Sequence, residues 1–433
     1  MGKRKSEFVT KLRGWIIQQV VSRPDPSARA RARRFGLNNI RRKPPTLELY
    51  FEASDPHSHL ALQALGKFAE RLHCPVEVLL VPAPEAATYP EEQQQRDFAL
   101  IDAKRIASAW GLSFPANAAR PDNERINRVN RLLVANSNNL YSLLKVTAEV
   151  RDYLFCNGDW PVQLDQLESK SRTVAELDRN SSRRKKMGHY LPAMWQFDGE
   201  WFWGLDRFKH LVPKLMRWGV LEADYPLLPF SASKATLPKL NGDSLEFYFS
   251  FRSPYSYLAA EYVLKNHQQW PVPVTVKPVL PMVMRGLPVP RAKRLYIVRD
   301  VKRCATQDGY PFGHIADPVG AGTERAITVF SLCKGTEQQL RFLAAAGRAA
   351  FAENKDLATD EGLLHATRTA GLDDAAVLAR LNQGVDLSLA ERNREDLRHA
   401  GLWGVPSWKV GNFSSWGYDR KWMHEELFRR AAQ

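Results

Sequence analysis

The sequence lacks several features that would each assign the chain to a class of protein. No apolar run approaches the ~18 residues that a membrane-spanning helix needs. The four cysteines of the 433 residues show neither CxxC nor CxxH spacing, which argues against a disulfide framework or a structural zinc site. We therefore expect buried or half-buried thiols in a reducing cytoplasm. Lys11 and Arg13 interrupt the first apolar stretch, so we do not expect a signal peptide.

The positive charge of the chain is concentrated at its N-terminus. The net charge is +15, and residues 1–45 carry thirteen Lys or Arg against Glu7 and Asp25, which gives +11 and leaves only +4 for the rest. This basic extension begins with an amphipathic stretch and continues with "SARARARRFG". Such a segment is typical of a surface that binds anionic membranes or nucleic acid, of a segment that packs on its own protein, or of a disordered tail.

An internal repeat sets the domain count. Residues 47–61, "LELYFEASDPHSHLA", share eight of fifteen positions with residues 245–259, "LEFYFSFRSPYSYLA". The offset of 198 persists between residues 96–114 and 294–312, where Arg, Asp, Lys, Arg, Ala, Gly and Phe are kept. Near the end of each copy, "YLPAMWQFDGEWFWGLDR" resembles "GVPSWKVGNFSSWGYDR" if one residue of slippage is allowed. A period this long indicates a duplicated domain.

The order of predicted elements is the same in both copies. Each opens with a strand, a helix that starts at Pro56 or Pro254 and a second strand, which together form a βαβ unit with a parallel strand pair. Amphipathic helices follow, then two short strands around a turn and a final helix from Asp206 or Asp419. We predict domains at residues 46–221 and 244–433, joined by a Pro- and Ser-rich linker at 222–243.

This layout, with "FYFSFRSPYSYLA", "PRAKRLYIVRDVKR", "GVPSW" and "WGYDR" in order, resembles the DsbA-type branch of the thioredoxin fold. The second copy is similar to 2-hydroxychromene-2-carboxylate isomerases and kappa-class glutathione transferases. The resemblance implies an α/β chain of two tandem thioredoxin-like domains, each with a helical insertion. Redox members of this fold carry Cys-x-x-Cys where Ser253-Pro254-Tyr255-Ser256 stands here, so the resemblance implies no disulfide exchange at this turn.

The resemblance also implies a glutathione site. Ser253 matches the serine that hydrogen-bonds the sulfur of glutathione, and Val405-Pro406 matches the cis-proline of the fold, with Leu191-Pro192 as the first copy's version. Asp419, preceded by Tyr418 where these enzymes have serine, matches the carboxylate that holds the γ-glutamyl end. Lys293 matches a lysine directed at the anionic tripeptide, although an expected asparagine is absent from "MVMRGLPVP". The alternative for each polar residue is an ordinary helix cap or a solvated side chain.

The first copy departs further from the pattern. Asp55 stands at the thiol position, where a carboxylate repels a thiolate, and Gln95 replaces the lysine. We therefore expect a structural or dimer-mimicking half without a thiol site. The spacing Asp55-x-His57-x-His59 leaves open an unrelated acid/base or metal site, but no further ligands support it.

Two functional hypotheses follow from these residues. The first is a cytoplasmic, glutathione-dependent isomerase or transferase that acts on a small aromatic electrophile, without a metal. The second is a non-enzymatic tandem thioredoxin-like protein that binds a peptide or partner along its proline edges. Ser253, Lys293 and Asp419 favour the first hypothesis, whereas Asp55, Tyr418 and the missing asparagine favour the second. The sequence leaves the oligomeric state open.

Overall fold

A computed structural model describes residues 44–433, with the exception of 87, 90, 162, 165, 223–229 and 288. The chain divides into two compact units between Leu237 and Pro238, inside the stretch that the sequence predicts as a linker. We call residues 44–237 the first unit and residues 238–433 the second unit. The basic extension lies outside the described residues except for Pro44 and Pro45, so its membrane or nucleic-acid contacts stay predictions.

The first unit combines a four-stranded sheet with seven α-helices among its described residues. The strands are β1 (Leu47–Phe51), β2 (Val76–Leu80), β3 (Met194–Phe197) and β4 (Glu200–Trp203). The helices are α1 (Pro56–Phe68), α2 (Glu92–Ala107), α3 (Asn123–Asn136), α4 (Leu140–Glu149), α5 (Arg151–Phe155), α6 (Lys170–Lys186) and α7 (Phe208–Arg217).

The second unit has the same kinds of element in a similar order. Its strands are β5 (Leu245–Phe249), β6 (Val274–Pro278), β7 (Ser407–Val410) and β8 (Phe413–Trp416). Its helices are α8 (Pro254–Asn266), α9 (Arg291–Asp308), α10 (Ala321–Phe330), α11 (Gly335–Phe351), α12 (Asp360–Thr369), α13 (Asp374–Asn382), α14 (Ser388–His399) and α15 (Lys421–Ala431).

The two sheets have the same strand order and equivalent registers. The orders are β2-β1-β3-β4 and β6-β5-β7-β8, and in each sheet the first pair is parallel while the other two are antiparallel. Leu49 pairs with Trp195 in the first sheet, and Phe247 pairs with Trp408 in the second. The parallel pair that a βαβ unit predicts is therefore present in both units.

The central strands β1 and β5 are buried on both faces, since all their residues except the half-buried Glu246 are buried. Each core is built around the tryptophan opposite the first strand. Trp195 packs against Phe68 and Phe208, with ring centroids 6.2 and 5.4 Å away. Trp408 stacks on Phe247 at 4.8 Å. Burial of such aromatic side chains supplies much of the hydrophobic stabilisation of a domain.

The predicted helix starts at Pro56 and Pro254 are confirmed, whereas several other boundaries differ. Because a 3₁₀ turn or an irregular turn precedes them, the closing helices start two residues after Asp419 and Asp206. Helix α13, which lies between α12 and α14, was not predicted. No helix among the described residues is long and apolar enough to cross a membrane. All four cysteines are free and either buried or half-buried, as predicted.

Candidate functional site

Ser253 lies at the N-terminus of α8 as its capping residue. Its Oγ accepts a hydrogen bond from the backbone N–H of Ser256 at 3.2 Å, and the side chain is half-buried. Because the oxygen is the acceptor in that bond, the hydroxyl hydrogen is left to donate to a ligand. The positive end of the helix dipole lies at the same place. The position is therefore suited to an anionic acceptor such as a thiolate.

The peptide bond between Val405 and Pro406 is cis, as predicted. Pro406 directly precedes Ser407, which pairs with Tyr248 near the carboxyl end of β5. The loop to α8 leaves β5 at this same end, so the register brings Val405 and Pro406 to the end of the sheet where Ser253 lies. Val405 is half-buried and Pro406 is buried.

The turn that carries Tyr418 and Asp419 is tied to the cis-proline. The N–H of Gly417 donates to the carbonyl oxygen of Pro406 at 2.9 Å. Tyr418 is buried, and its hydroxyl donates to Asp308, which also accepts from Lys421 Nζ at 2.7 Å. The Tyr418 hydroxyl therefore serves a contact within the protein, whereas Asp419 is half-buried on the 3₁₀ turn before α15.

Lys293 lies in the first turn of α9 and is half-buried. Burial lowers the pKa of its ammonium group below the usual value for lysine, because removal from water disfavours the charged form. The next turns of α9 pack against the start of α8, where Tyr255 donates to Asp300 at 2.6 Å. Lys293 and Ser253 thus lie on two helices that are in direct contact.

Four polar residues around Ser253 were not predicted as parts of the site, namely Arg252, Asp300, Arg303 and Asp317. Asp300 is buried, accepts from Tyr255 and pairs with Arg303 at 3.2 Å. Arg252, one residue before Ser253, makes two bonds of 2.9 Å to Asp317. The identity of Asp and Arg between the two copies is the signal that could have pointed to Asp300 and Arg303. These contacts fix the turn that presents Ser253.

Residues 244–428 match the family model described as a DSBA-like thioredoxin domain. The second unit is a DSBA-like thioredoxin domain. No curated protein matches the chain significantly.

Three of the solved structures that match the chain each align with 44% of it. A 2-hydroxychromene-2-carboxylate isomerase is 23% identical over 96% of its own length, with a TM-score of 0.36. A probable DsbA oxidoreductase from Streptomyces coelicolor is 18% identical over 88%, with a TM-score of 0.35. The cytosolic disulfide reductase DsbM from Pseudomonas aeruginosa with GSH is 14% identical over 97%, with a TM-score of 0.32. None of these likenesses is close enough to carry a function to this chain.

In the first unit, Asp55 takes the position that Ser253 has in the DSBA-like domain. Asp55 caps α1, and its Oδ2 accepts from the N–H and the hydroxyl of Ser58 at 2.9 and 2.6 Å. The backbone angles of Asp55 and Ser253 agree within a few degrees, with φ of −90° and −87° and ψ of 113° and 115°. The replacement of serine by aspartate therefore changes the charge at this point but keeps the backbone.

The prediction that Leu191-Pro192 is the first unit's cis-proline is wrong. The cis bond at Val405-Pro406 has no counterpart among the other described peptide bonds. Trp195 and Trp408 pair with equivalent residues of β1 and β5, so the strand pairing aligns the two tryptophans. The residue two positions before each tryptophan is Ala193 in the first unit and Pro406 in the second. Pro192 precedes the position equivalent to Pro406 by one residue. Ala193 has a φ of 53°, and its N–H donates to Ser58 Oγ at 3.1 Å. A proline has no N–H for that bond.

The alternative metal site at Asp55, His57 and His59 has no support in the geometry. His59 donates from Nε2 to the carbonyl oxygen of Ala53 at 2.7 Å, and burial lowers its pKa to about 3. His57 Nε2 lies 3.4 Å from Asp102, the residue equivalent to Asp300. The three side chains are thus committed to separate contacts. No cluster of three His, Cys, Asp or Glu able to hold a metal ion occurs among the described residues.

Proposed function

We propose that the DSBA-like domain binds glutathione with its sulfur at Ser253 and uses the thiolate in isomerisation or transfer on a small aromatic electrophile. The observation that carries this proposal is the arrangement of Ser253 at the start of α8. Its hydroxyl hydrogen is free to donate, the helix dipole favours negative charge, and the cis peptide at Pro406 lies at the same end of the sheet. No cysteine stands at this turn, so disulfide exchange there is excluded.

Hydrogen bonding to the thiolate explains why a serine suffices for this chemistry. A free thiol has a pKa of about 8.5, so only a few per cent is ionised at neutral pH. A hydrogen bond to a charged acceptor contributes roughly 1.5 to 3 kcal/mol, which corresponds to about one to two pKa units. A shift of about two units, at the upper end of this range, makes the bound thiolate the majority species at neutral pH, and a shift of about one unit raises its share severalfold.

The remaining predicted residues would hold the ends of the tripeptide. The backbone of Val405, turned by the cis peptide, would pair with the cysteinyl part of glutathione. Asp419 would accept from the amino group of the γ-glutamyl end, and Lys293 would attract a carboxylate. The hydroxyl of Tyr418 is bonded to Asp308, so only the backbone of Tyr418 would be available to the ligand.

The isomerase version of the reaction needs no oxidant or reductant. The thiolate adds to a carbon of a double bond conjugated with a carbonyl, and the electron pair moves to the carbonyl oxygen. The former double bond is then single and can rotate. Return of the electron pair re-forms the double bond and expels the thiolate unchanged.

We also infer that the first unit is a second thioredoxin-like domain that has lost the thiol site. Its support is the shared strand order, the shared registers and the equivalent helix start at Asp55. A cytoplasmic location is part of the same proposal, since glutathione at millimolar concentration and free cysteines suit that compartment.

The hydroxyl of Tyr418 is bonded to Asp308, and Tyr418 stands where the resembling enzymes have a serine that contacts glutathione. The loss of that contact favours a second candidate function, namely a partner-binding domain without enzymatic activity. Such a domain would offer the edge beside Val405 to a peptide and would need no thiol. Binding of glutathione separates the two candidates because only the first requires it.

Calorimetric titration of the full chain with glutathione, followed by Ser253→Ala, tests the proposal. Wild type should bind glutathione below millimolar concentration, and the variant should raise the pKa of the bound thiol, followed by thiolate absorbance, by about one to two units. The matched control is Thr359→Ala, which removes a similar cap bond of 3.1 Å from α12 in the same unit. The control should cost about 1 kcal/mol of stability and leave the thiol pKa unchanged. Absence of glutathione binding at 10 mM would favour the partner-binding function.

A further inference from the structure

Three polar side chains of the DSBA-like domain form a closed group beside Asp419. Asp308, the last residue of α9, accepts a hydrogen bond from the hydroxyl of Tyr418 and another from Lys421 Nζ at 2.7 Å. Lys421 Nζ also donates to the Tyr418 hydroxyl at 2.9 Å and lies 4.3 Å from the centre of its ring. We call Asp308, Tyr418 and Lys421 the turn cluster, because they link the end of α9 to the turn that carries Asp419.

The turn cluster holds Asp419 from both sides. Tyr418 precedes Asp419 directly and Lys421 follows it by two residues, and both are bonded to the same carboxylate on α9. The start of the turn is bonded separately, because the N–H of Gly417 donates to Pro406. The side chains of the ion pair are only 24% and 18% exposed. The position of the Asp419 backbone therefore depends on a helix that ends 110 residues before Tyr418.

The first unit forms the corresponding turn with apolar residues. At the three positions of the turn cluster it has Trp110, Leu205 and Phe208 in place of Asp308, Tyr418 and Lys421. The repeat offset of 198 gives the first equivalence, and the match of "WGLDR" with "WGYDR" gives the other two. Leu205 and Phe208 are buried, and the rings of Phe208 and Trp110 lie 6.1 Å apart. An apolar contact thus takes the place of the turn cluster in the unit that lacks the serine at the thiol position.

This difference separates folding from function. A well-packed apolar contact usually stabilises a fold at least as well as a withdrawn ion pair, because the ion pair loses its hydration. Phe208 begins α7 just as Lys421 begins α15, so the closing helix starts at the same place with either kind of contact. The charged residues of the turn cluster therefore need a reason other than folding, and they flank the carboxylate of Asp419.

We propose that the turn cluster positions Asp419 for the ammonium group of the γ-glutamyl end, and so makes the site selective for a ligand that carries this group. The inference rests on the proposed glutathione site. Asp308 and Lys421 are positioning residues, since they act through Asp419. Directed bonds suit this role because a charge-assisted contact to the ligand requires a fixed geometry, whereas an apolar contact has no preferred direction.

A pair of ligands that differ only in the amino group tests this role. Glutaryl-cysteinylglycine is glutathione without the amino group that Asp419 would bind. Calorimetric titration of the full chain with each ligand gives a selectivity ratio, the Kd of the analogue divided by the Kd of glutathione. The ratio should be about ten or more in wild type, the usual effect of one charge-assisted bond. General loosening of the domain would weaken both ligands and leave the ratio unchanged.

Three variants of the turn cluster should change the ratio in a defined order. Asp308→Asn removes the negative charge and should lower the ratio about threefold or more. Tyr418→Phe keeps the ring and the ion pair, so it tests the cluster even if Asp308→Asn does not fold, and it should lower the ratio by a smaller factor. Lys421→Arg keeps the ion pair and should retain most of the ratio. Asp396→Asn is the matched control, because Asp396 accepts from Lys277 at 2.7 Å in the same unit and should leave the ratio as it is.

Asp419→Asn gives the ratio expected when the contact to the amino group is lost. If Asp419→Asn lowers the ratio while Asp308→Asn and Tyr418→Phe keep the wild-type value, the inference is refuted and the glutathione site still stands. A wild-type ratio of one would also overturn it, since Asp419 would then have no contact to maintain. Absence of glutathione binding in wild type would refute the proposed function and this inference together.

Discussion

His59 provides a stability test of the first unit that is independent of its function. The side chain is completely buried, its ring lies 5.0 Å from the rings of Phe51 and Phe155, and Nε2 donates to Ala53. Nδ1 is buried and has no hydrogen-bond partner among the described residues. Protonation would place a charged N–H at this apolar position, and burial therefore lowers the pKa of His59 to about 3.

The size of the effect follows from proton linkage. An unfolded histidine has a pKa of about 6.5, so between pH 6.5 and pH 3 the unfolded chain binds a proton that the folded chain does not. The stabilising contribution of neutral His59 is complete above pH 6.5 and is lost as the pH falls. With a folded pKa of about 3, the free energy of unfolding of the first unit should drop by about 2 kcal/mol between pH 7 and pH 5.

Hydrogen exchange of peptides from α1 at increasing urea concentration measures this free energy for the first unit alone. The change to study is His59→Leu, which should remove the 2 kcal/mol difference between pH 7 and pH 5 whatever it does to stability at pH 7. His73→Gln is the control, because His73 is exposed in the same unit and its replacement should leave the pH dependence as it is. An equal loss of stability at pH 5 in wild type and His59→Leu would show that the reasoning about His59 is wrong.

Two further predictions concern the sheets and the basic extension. Asn180 and Asn393 donate to the carbonyl oxygens of Leu80 and Pro278 at 3.0 and 2.9 Å, the last residues of β2 and β6. Each Asn→Ala change should therefore lower the free energy of unfolding of its own unit by about 1 to 3 kcal/mol, measurable by the same exchange method, and a change below 0.3 kcal/mol would contradict this role. Removal of residues 1–45 should leave both units folded and reduce sedimentation with anionic vesicles or retention on nucleic acid, whereas unchanged binding would show that the charge of the extension is incidental.

Local sequence patterns predicted the parts of the site that depend on neighbouring residues. Proline at the first helical position and a capping side chain before it predict where α1 and α8 start, because these residues satisfy the helix end locally. The cis peptide at Pro406 was predicted from the resemblance of the uninterrupted stretch "GVPSW" to the cis-proline motif of the fold. In both cases the structural cause lies within a few residues of the pattern.

Contacts between distant residues were harder to predict. The partners of Tyr255 and Tyr418 lie 45 and 110 residues away, and no local rule says which carboxylate a tyrosine reaches. The error at Pro192 has a different cause. Matching proline to proline required one residue of slippage, whereas strand pairing aligned tryptophan with tryptophan. Where the alignment of the prolines conflicts with the strand pairing, the strand pairing gives the correct equivalence, because a shift by one residue turns every side chain to the opposite face of the sheet.

The backbone conformation of Ala193 is an obstacle to introducing a second thiol site into the first unit by protein engineering. A designer who wants a second thiol site would change Asp55 to serine and Ala193 to proline. Proline requires a φ near −65°, whereas Ala193 has a φ of 53° and donates its N–H to Ser58. The second change would therefore remove one of the hydrogen bonds of Ser58 Oγ, which also bonds Glu52 N–H and Asp55. Transfer of the thiol site to the first unit would therefore require the loop around Ala193 to be redesigned together with these two substitutions.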